Sequence, residues 1–93
     1  MTFEWDENKN QLNIHRHGID FCDAWRIFEN PMLKKIDSRK EYGEERWLGL
    51  GELYESIVVI VYTKRNNKIR VISIRRANRH ERKAYKTRFK KPH

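Results

Sequence analysis

Residues 56–75 read SIVVIVYTKRNNKIRVISIR. Ile57 through Tyr62 is an uninterrupted run of β-branched and aromatic residues, so a strand over Ser56–Thr63 is expected to be covered on both faces. Asn66-Asn67 supplies a turn, because asparagine tolerates left-handed backbone. Lys68–Arg75 then alternates. Period-two geometry puts Ile69, Val71 and Ser73 on one face and Arg70, Ile72 and Ile74 on the other.

Upstream, Leu33–Asp37 and Arg46–Leu50 are two short runs separated by a polar stretch through Tyr42-Gly43. They read as a β-hairpin. Before them stands Asn30-Pro31, which stops a helix starting at Asp20. Phe21, Ala24, Trp25 and Phe28 give that helix an apolar stripe at i, i+3, i+4, i+7 and are expected in the core. An earlier helix is capped by Asp6 and runs to about Arg16, with Gly18 at the left-handed position beyond its end. Thr2–Trp5 precedes it as a short strand. Downstream, Asn78 with Glu81 three residues later has capping-box spacing and opens a third helix through Tyr85 and Phe89. Tyr85 is expected as its core anchor. The order is β-α-α-β-β-β-α: an α+β fold with a small, mostly antiparallel sheet.

Charge is divided sharply along the chain. Lys64–His93 carries thirteen Lys or Arg and one acid, Glu81, for a formal +12. Met1–Thr63 sums to −4, so the chain total of +8 understates the local field. A concentrated positive field draws polyanions and binds phosphates by releasing counterions. Nucleic acid, or an acidic protein occupying the same surface, is the expected partner.

Ninety-three residues make one small domain with a modest core. Cys22 is the single cysteine, so no internal disulfide forms and a reducing cytoplasm fits. No apolar stretch approaches the ~20 residues of a membrane span. The N-terminus lacks the charged and apolar regions of a signal peptide. Residues 90–93 are expected to be a poorly ordered tail. No cofactor is expected, since no glycine loop has phosphate-binding form. No metal site is expected either. His15 and His17 lack an acidic or thiolate partner at ligand spacing, and His80 and His93 stand apart.

The chemically suggestive cluster crosses the end of a strand and the start of a helix: Arg70, Ser73, Arg75, Arg76, Asn78, Arg79, Glu81, Arg82 and Tyr85. A helix N-terminus favours a phosphate, and the planar arginine fork binds its oxygens bidentately. RNA cleavage needs a base for the 2′-OH, a cation for the phosphorane and an acid for the leaving oxygen. Arginines fill the middle role, and Glu81 or His17 the proton transfers. Each also has a purely structural reading. Glu81 caps the third helix, His17 caps carbonyls at the end of the first, and arginines from Arg79 onward solvate a terminal helix.

The residues also resemble a known family. Phe3-Glu4-Trp5-Asp6, Lys9 and Asn13 are similar to its opening. His17-Gly18-Ile19-Asp20-Phe21 with Ala24, Phe28 and Asn30-Pro31 resembles its second block. Gly43-Glu44-Glu45-Arg46 with Gly51 resembles the middle. Arg70–Arg75 with Ala77, Glu81, Arg82 and Tyr85 resembles the closing signature. On these blocks the chain is identified as resembling BrnT, the toxin family of type II toxin–antitoxin pairs, from residue 3 to about 85. Three positions depart from the pattern: Arg16 stands for a lysine, Ile74 for an alanine and Asn30 for an aspartate.

The resemblance implies a RelE-like fold and a ribonuclease that halts translation by cleaving mRNA. It also implies a BrnA-like antitoxin carrying a ribbon-helix-helix part, a 2:2 assembly, and operator DNA bound through the antitoxin. The resulting expectation is a metal-independent endoribonuclease. Arg75 and Arg70 hold the scissile phosphate with help from Arg46, and Glu81 or His17 moves protons. Lys9, Arg16, Arg76, Arg79 and Arg82 contact the RNA backbone. The alternative is a non-catalytic binding module or corepressor, with salt-sensitive binding and no product.

Overall fold

The computed structural model describes residues 1–39, 41 and 43–89. The tail expected at residues 90–93, and Tyr42 in the middle turn, lie outside them. The elements are β1 (Thr2–Trp5), α1 (Glu7–His17), a 3-10 turn (Phe21–Asp23), α2 (Ala24–Phe28), β2 (Leu33–Ile36), β3 (Trp47–Leu53), β4 (Ser56–Arg65), β5 (Lys68–Arg76) and α3 (Arg79–Phe89). Each run read as a strand is one. Four strands therefore lie between α2 and α3, one more than the expected order held.

The five strands lie in the order β1-β5-β4-β3-β2. Three pairings are antiparallel, but β1 joins β5 in parallel, so the sheet is mixed. β4 is central, and Ile57 through Thr63 are all buried. Asn66 and Asn67 both have positive φ, as a two-residue hairpin turn requires.

Between Val61 and Tyr62 of β4 the register with β5 slips. Val61 pairs with Ser73 and Tyr62 with Val71, leaving Ile72 as an extra residue. A bulge of this kind exchanges the faces of everything after it. Unbroken alternation put Ser73 with Ile69 and Val71. Instead Ile74 joins them in the core, and Ser73 and Arg75 share the opposite face with Arg70.

That core lies under α2 and contains Phe21, Ala24, Ile27, Val58, Ile60 and Tyr62, with the rings of Phe3, Trp5 and Phe28 against it. Gly51 lets α2 approach. A Cβ there would stand 2.7 Å from Ile27 Cγ2. Trp25, expected in the core, is 42% exposed. The 3-10 turn stacks Phe21 under Ala24, and the stripe continues through Ile27 and Phe28, which leaves Trp25 about 100° away. Its ring instead carries the Arg26 guanidinium at 4.5 Å. The other core is small: Ile57, Val59, Ala77 and Tyr85, with Leu48, Leu50 and Phe89 beside it.

α1 is capped as expected. Asp6 accepts from the Asn8 and Lys9 N–H groups, and Gly18 ends the helix at φ 70°. Its inner face is polar. Asn13 is buried, donates to the carbonyls of Ile19 (3.0 Å) and Ile74 (2.9 Å), and accepts from the Ile74 N–H (3.2 Å). β1 pairs with β5 only as far as Val71, so this amide takes the place of a strand at the edge beyond. Asn13→Ala would orphan both Ile74 groups. The expected loss is about 2–4 kcal/mol of folding stability, seen as a lower urea midpoint at unchanged slope.

Candidate nucleic-acid interface

One face of the sheet holds α2 and its core. The other is covered at one end by α3 and at the far end by the segment before β3, where the Glu45 carbonyl accepts from the buried Thr63 hydroxyl at 2.7 Å; the stretch between is open. By register this open face presents Glu4 of β1, Arg65 of β4, Arg70, Ser73 and Arg75 of β5, Leu48 and Leu50 of β3, and Leu33 and Lys35 of β2, while Val61 and Thr63 of β4 lie on the same side but buried.

Arg75 lies where β5 meets α3. Its Nη1 and Nη2 donate to Glu81 Oε1 and Oε2, both at 2.9 Å, in a two-pronged pair. Glu81 is also the reciprocal cap of α3. It accepts from the Asn78 N–H at 2.8 Å, and its own N–H donates to Asn78 Oδ1 at 2.9 Å. The structural and site readings of Glu81 thus meet in one carboxylate. Arg75 holds it below the usual carboxylate range by hydrogen bonding, against a smaller opposing effect of burial, and the Lys35 ammonium adds to the lowering. The Arg75 guanidinium is raised in turn, chiefly by its hydrogen bonds to Glu81. Arg39 opposes that charge from nearby, where it pairs with buried Asp37 at 2.8 Å. Lys35 and Arg39 were not singled out in the sequence. They carry no local motif, and only the β2–β3 register brings them here.

Arg70 lies on the same face, five residues back along β5, with Nη1 3.0 Å from Glu4 Oε2. Arg46 stands just before β3 and pairs with Glu44 at 3.5 Å. Glu44 also accepts from Arg65 Nη2 at 2.6 Å, so part of the acidic middle of the chain does pair with the basic segment. The structure brings Arg75 and Glu81 into contact and sets Arg70 and Arg46 further along the same face.

The remaining candidates lie elsewhere. Arg76 turns to the opposite side and donates to the His17 carbonyl at 2.9 Å, which places His17 away from the Arg75–Glu81 pair. Lys9 and Arg16 are exposed on α1. Arg79 and Arg82 are exposed on α3, and Arg82 donates to the Ala77 carbonyl at 2.8 Å. Tyr85 is fully buried, with its hydroxyl donating to the Pro31 carbonyl at 2.9 Å and its pKa pushed up to about 12 by burial and then by Glu52. Among the described residues no three His, Cys, Asp or Glu side chains are grouped so as to hold a metal ion, and no helix is long and apolar enough to cross a membrane.

A protein-family model described as "Ribonuclease toxin, BrnT, of type II toxin-antitoxin system" matches residues 5–81. A search of the curated proteins finds no match.

Because Glu81 binds its proton less tightly in the folded state, its pair contributes stability above the unfolded carboxylate range. That contribution is lost as pH falls through the folded value. Glu81→Gln keeps a capping-box residue and removes the charge. Its stability deficit, measured by urea unfolding across pH, should therefore begin to shrink near the unfolded carboxylate pKa of about 4.3 and vanish once pH falls below the lowered folded value. Glu81→Ala should cost about 1 kcal/mol more than Glu81→Gln at neutral pH, through the lost cap.

Proposed function

The chain belongs to the BrnT ribonuclease-toxin family of type II toxin–antitoxin systems, and from that premise we propose that it cleaves mRNA on the open face of its sheet. The observation that supports this reading is the Arg75–Glu81 pair at the N-terminus of α3, with Arg70 on the same sheet face and Arg46 in the segment that enters β3. RNA laid along this face meets cations from β2, β4 and β5.

In this reading Arg75 stabilises the charge that develops on the scissile phosphate. The guanidinium stays protonated, and with its Nη1 and Nη2 prongs on Glu81 it meets the phosphate through its other edge, Nε and the second Nη2 hydrogen. Glu81 orients that guanidinium and, ionised at neutral pH, accepts the 2′-OH proton as the 2′-oxygen bonds to phosphorus, and the leaving 5′-oxygen takes its proton from water as its bond to phosphorus breaks. Arg70 and Arg46 hold neighbouring phosphates. Arg79 and Arg82 extend the field along α3. His17, Lys9, Arg16 and Arg76 meet RNA only where the strand wraps past α1. In this reading side chains supply the positive charge that offsets the negative charge of the transition state, so the cleavage needs no metal.

The partner is a BrnA-like ribbon-helix-helix antitoxin in a 2:2 assembly that also carries operator DNA. The fold reading is RelE-like and the site of action the cytoplasm. An α+β chain with a five-stranded mixed sheet supports the first, and membership of a type II toxin family supports the second.

The test is incubation of antitoxin-free protein with a defined mRNA in EDTA, alone and with a translation extract. Wild type should cut, and Arg75→Ala should lose about 10²–10³-fold in rate. Arg75→Lys, which keeps a charge to hold α3, controls for folding. Equal cutting by Arg75→Ala would remove Arg75 from the site. Salt-sensitive binding with no product in either arm would favour the non-catalytic module.

A further inference from the structure

Beside the Arg75–Glu81 pair is a cavity of about 320 Å³ over the paired strands β2 and β3, reaching Val59 of β4 and Glu81 of α3. Leu33, Leu48, Leu50 and Val59 form its walls, and Lys35 and Glu81 stand at its rim. We propose that this cavity takes one unstacked nucleobase of the RNA, next to the phosphate held by Arg75. This inference rests on the reading of the open face as an RNA site.

Three observations carry it. The volume lies at the small end of the range for ligand cavities, about 300–1,000 Å³. It suits one planar heterocycle and not a segment of helix. Its floor is apolar in a surface otherwise crowded with cations. A charged backbone is repelled from such a floor, while the π-face of a base is accommodated. Its rim offers the two kinds of group that read a base edge. The Lys35 ammonium donates to a ring carbonyl or nitrogen, and the second lone pair of Glu81 Oε2, which takes one bond, from Arg75, where Oε1 takes two, accepts from an amino or imino N–H. Glu81 thus faces both subsites. It fixes the guanidinium that binds the phosphate, and it lines the pocket for the adjoining base. Chain geometry matches, because a nucleotide's base and phosphate diverge from one sugar. Sequence-selective readers of RNA work on single strands whose bases are splayed out in this way.

The experiment uses an octanucleotide with all four bases, carrying 2′-fluoro groups so that it cannot be cut, and eight versions each lacking one base. Binding to the full chain is measured at fixed salt, beside cleavage of the matching RNA. One abasic position should weaken wild-type binding at least tenfold, and the others far less. Leu33→Trp fills the cavity from the edge strand without entering the main core, and it should level the series. Lys35→Met should halve the penalty or more while leaving folding intact. Cleavage with a level abasic series in wild type overturns the pocket and leaves the ribonuclease reading standing. Neither binding nor cleavage removes both. If Leu33→Trp abolishes antitoxin binding and leaves the abasic penalty unchanged, the cavity belongs to a protein partner and the proposal falls.

Discussion

The bulge at Ile72 decides which side chains of β5 face the core and which face the open surface. Without it Ile74 would point away from the core and Arg75 into it. With it, Ile74 fills the space between Asn13 and Ile60, and Arg75 emerges beside α3. A bulge costs local pairing, so something must hold the strand beyond it. Asn13 does so by hydrogen-bonding both backbone groups of Ile74 at the edge β1 leaves uncovered. The same amide ties down Ile19, where the chain turns toward α2. One buried side chain thus joins the first helix, the entry to the second and the strand that carries the site.

α3 depends on that placement in turn. Its apolar attachment is slight: Tyr85 and Phe89 against Ile57, Val59, Ala77 and two leucines. A contact this small leaves polar links to fix the angle of the helix. The Tyr85 hydroxyl reaches the Pro31 carbonyl, and Arg75 grips the carboxylate that also caps the first turn. The arginine at the centre of the site is therefore also a tether of the helix beside it. Charge at the site and order in α3 are coupled through Glu81.

The sequence showed local features well. The Asp6 cap, the Gly18 stop, the Asn66-Asn67 turn and the Asn78–Glu81 capping box each depend on a few adjacent residues, and each is present. The features it concealed are tertiary. A 3-10 turn at Phe21–Asp23 turned Trp25 outward, although the residue spacing fits a continuous helical stripe. The bulge left no mark in a run as regular as KIRVISIR. Asn10 and Asn13 look like surface residues until their partners on distant segments are known. Lys35 and Arg39 sit in the half of the chain whose net charge is negative, so charge counting along the sequence passed over them.

Folding redistributes that charge. Along the chain the field is divided near residue 64, acidic before and basic after. In space, Lys35, Arg39 and Arg46 from the first half stand with Arg65, Arg70 and Arg75 from the second around one open sheet face. Glu4, Glu44 and Glu81 are each paired with a cation there. A pair at such a surface has little net energy in water, so it holds a side chain in place without burying it. A polyanion meets arginines already extended and oriented, each held by a carboxylate with which phosphate must compete. Dense cationic strands alone would repel one another. Interspersed acids let this face remain positive, folded and available.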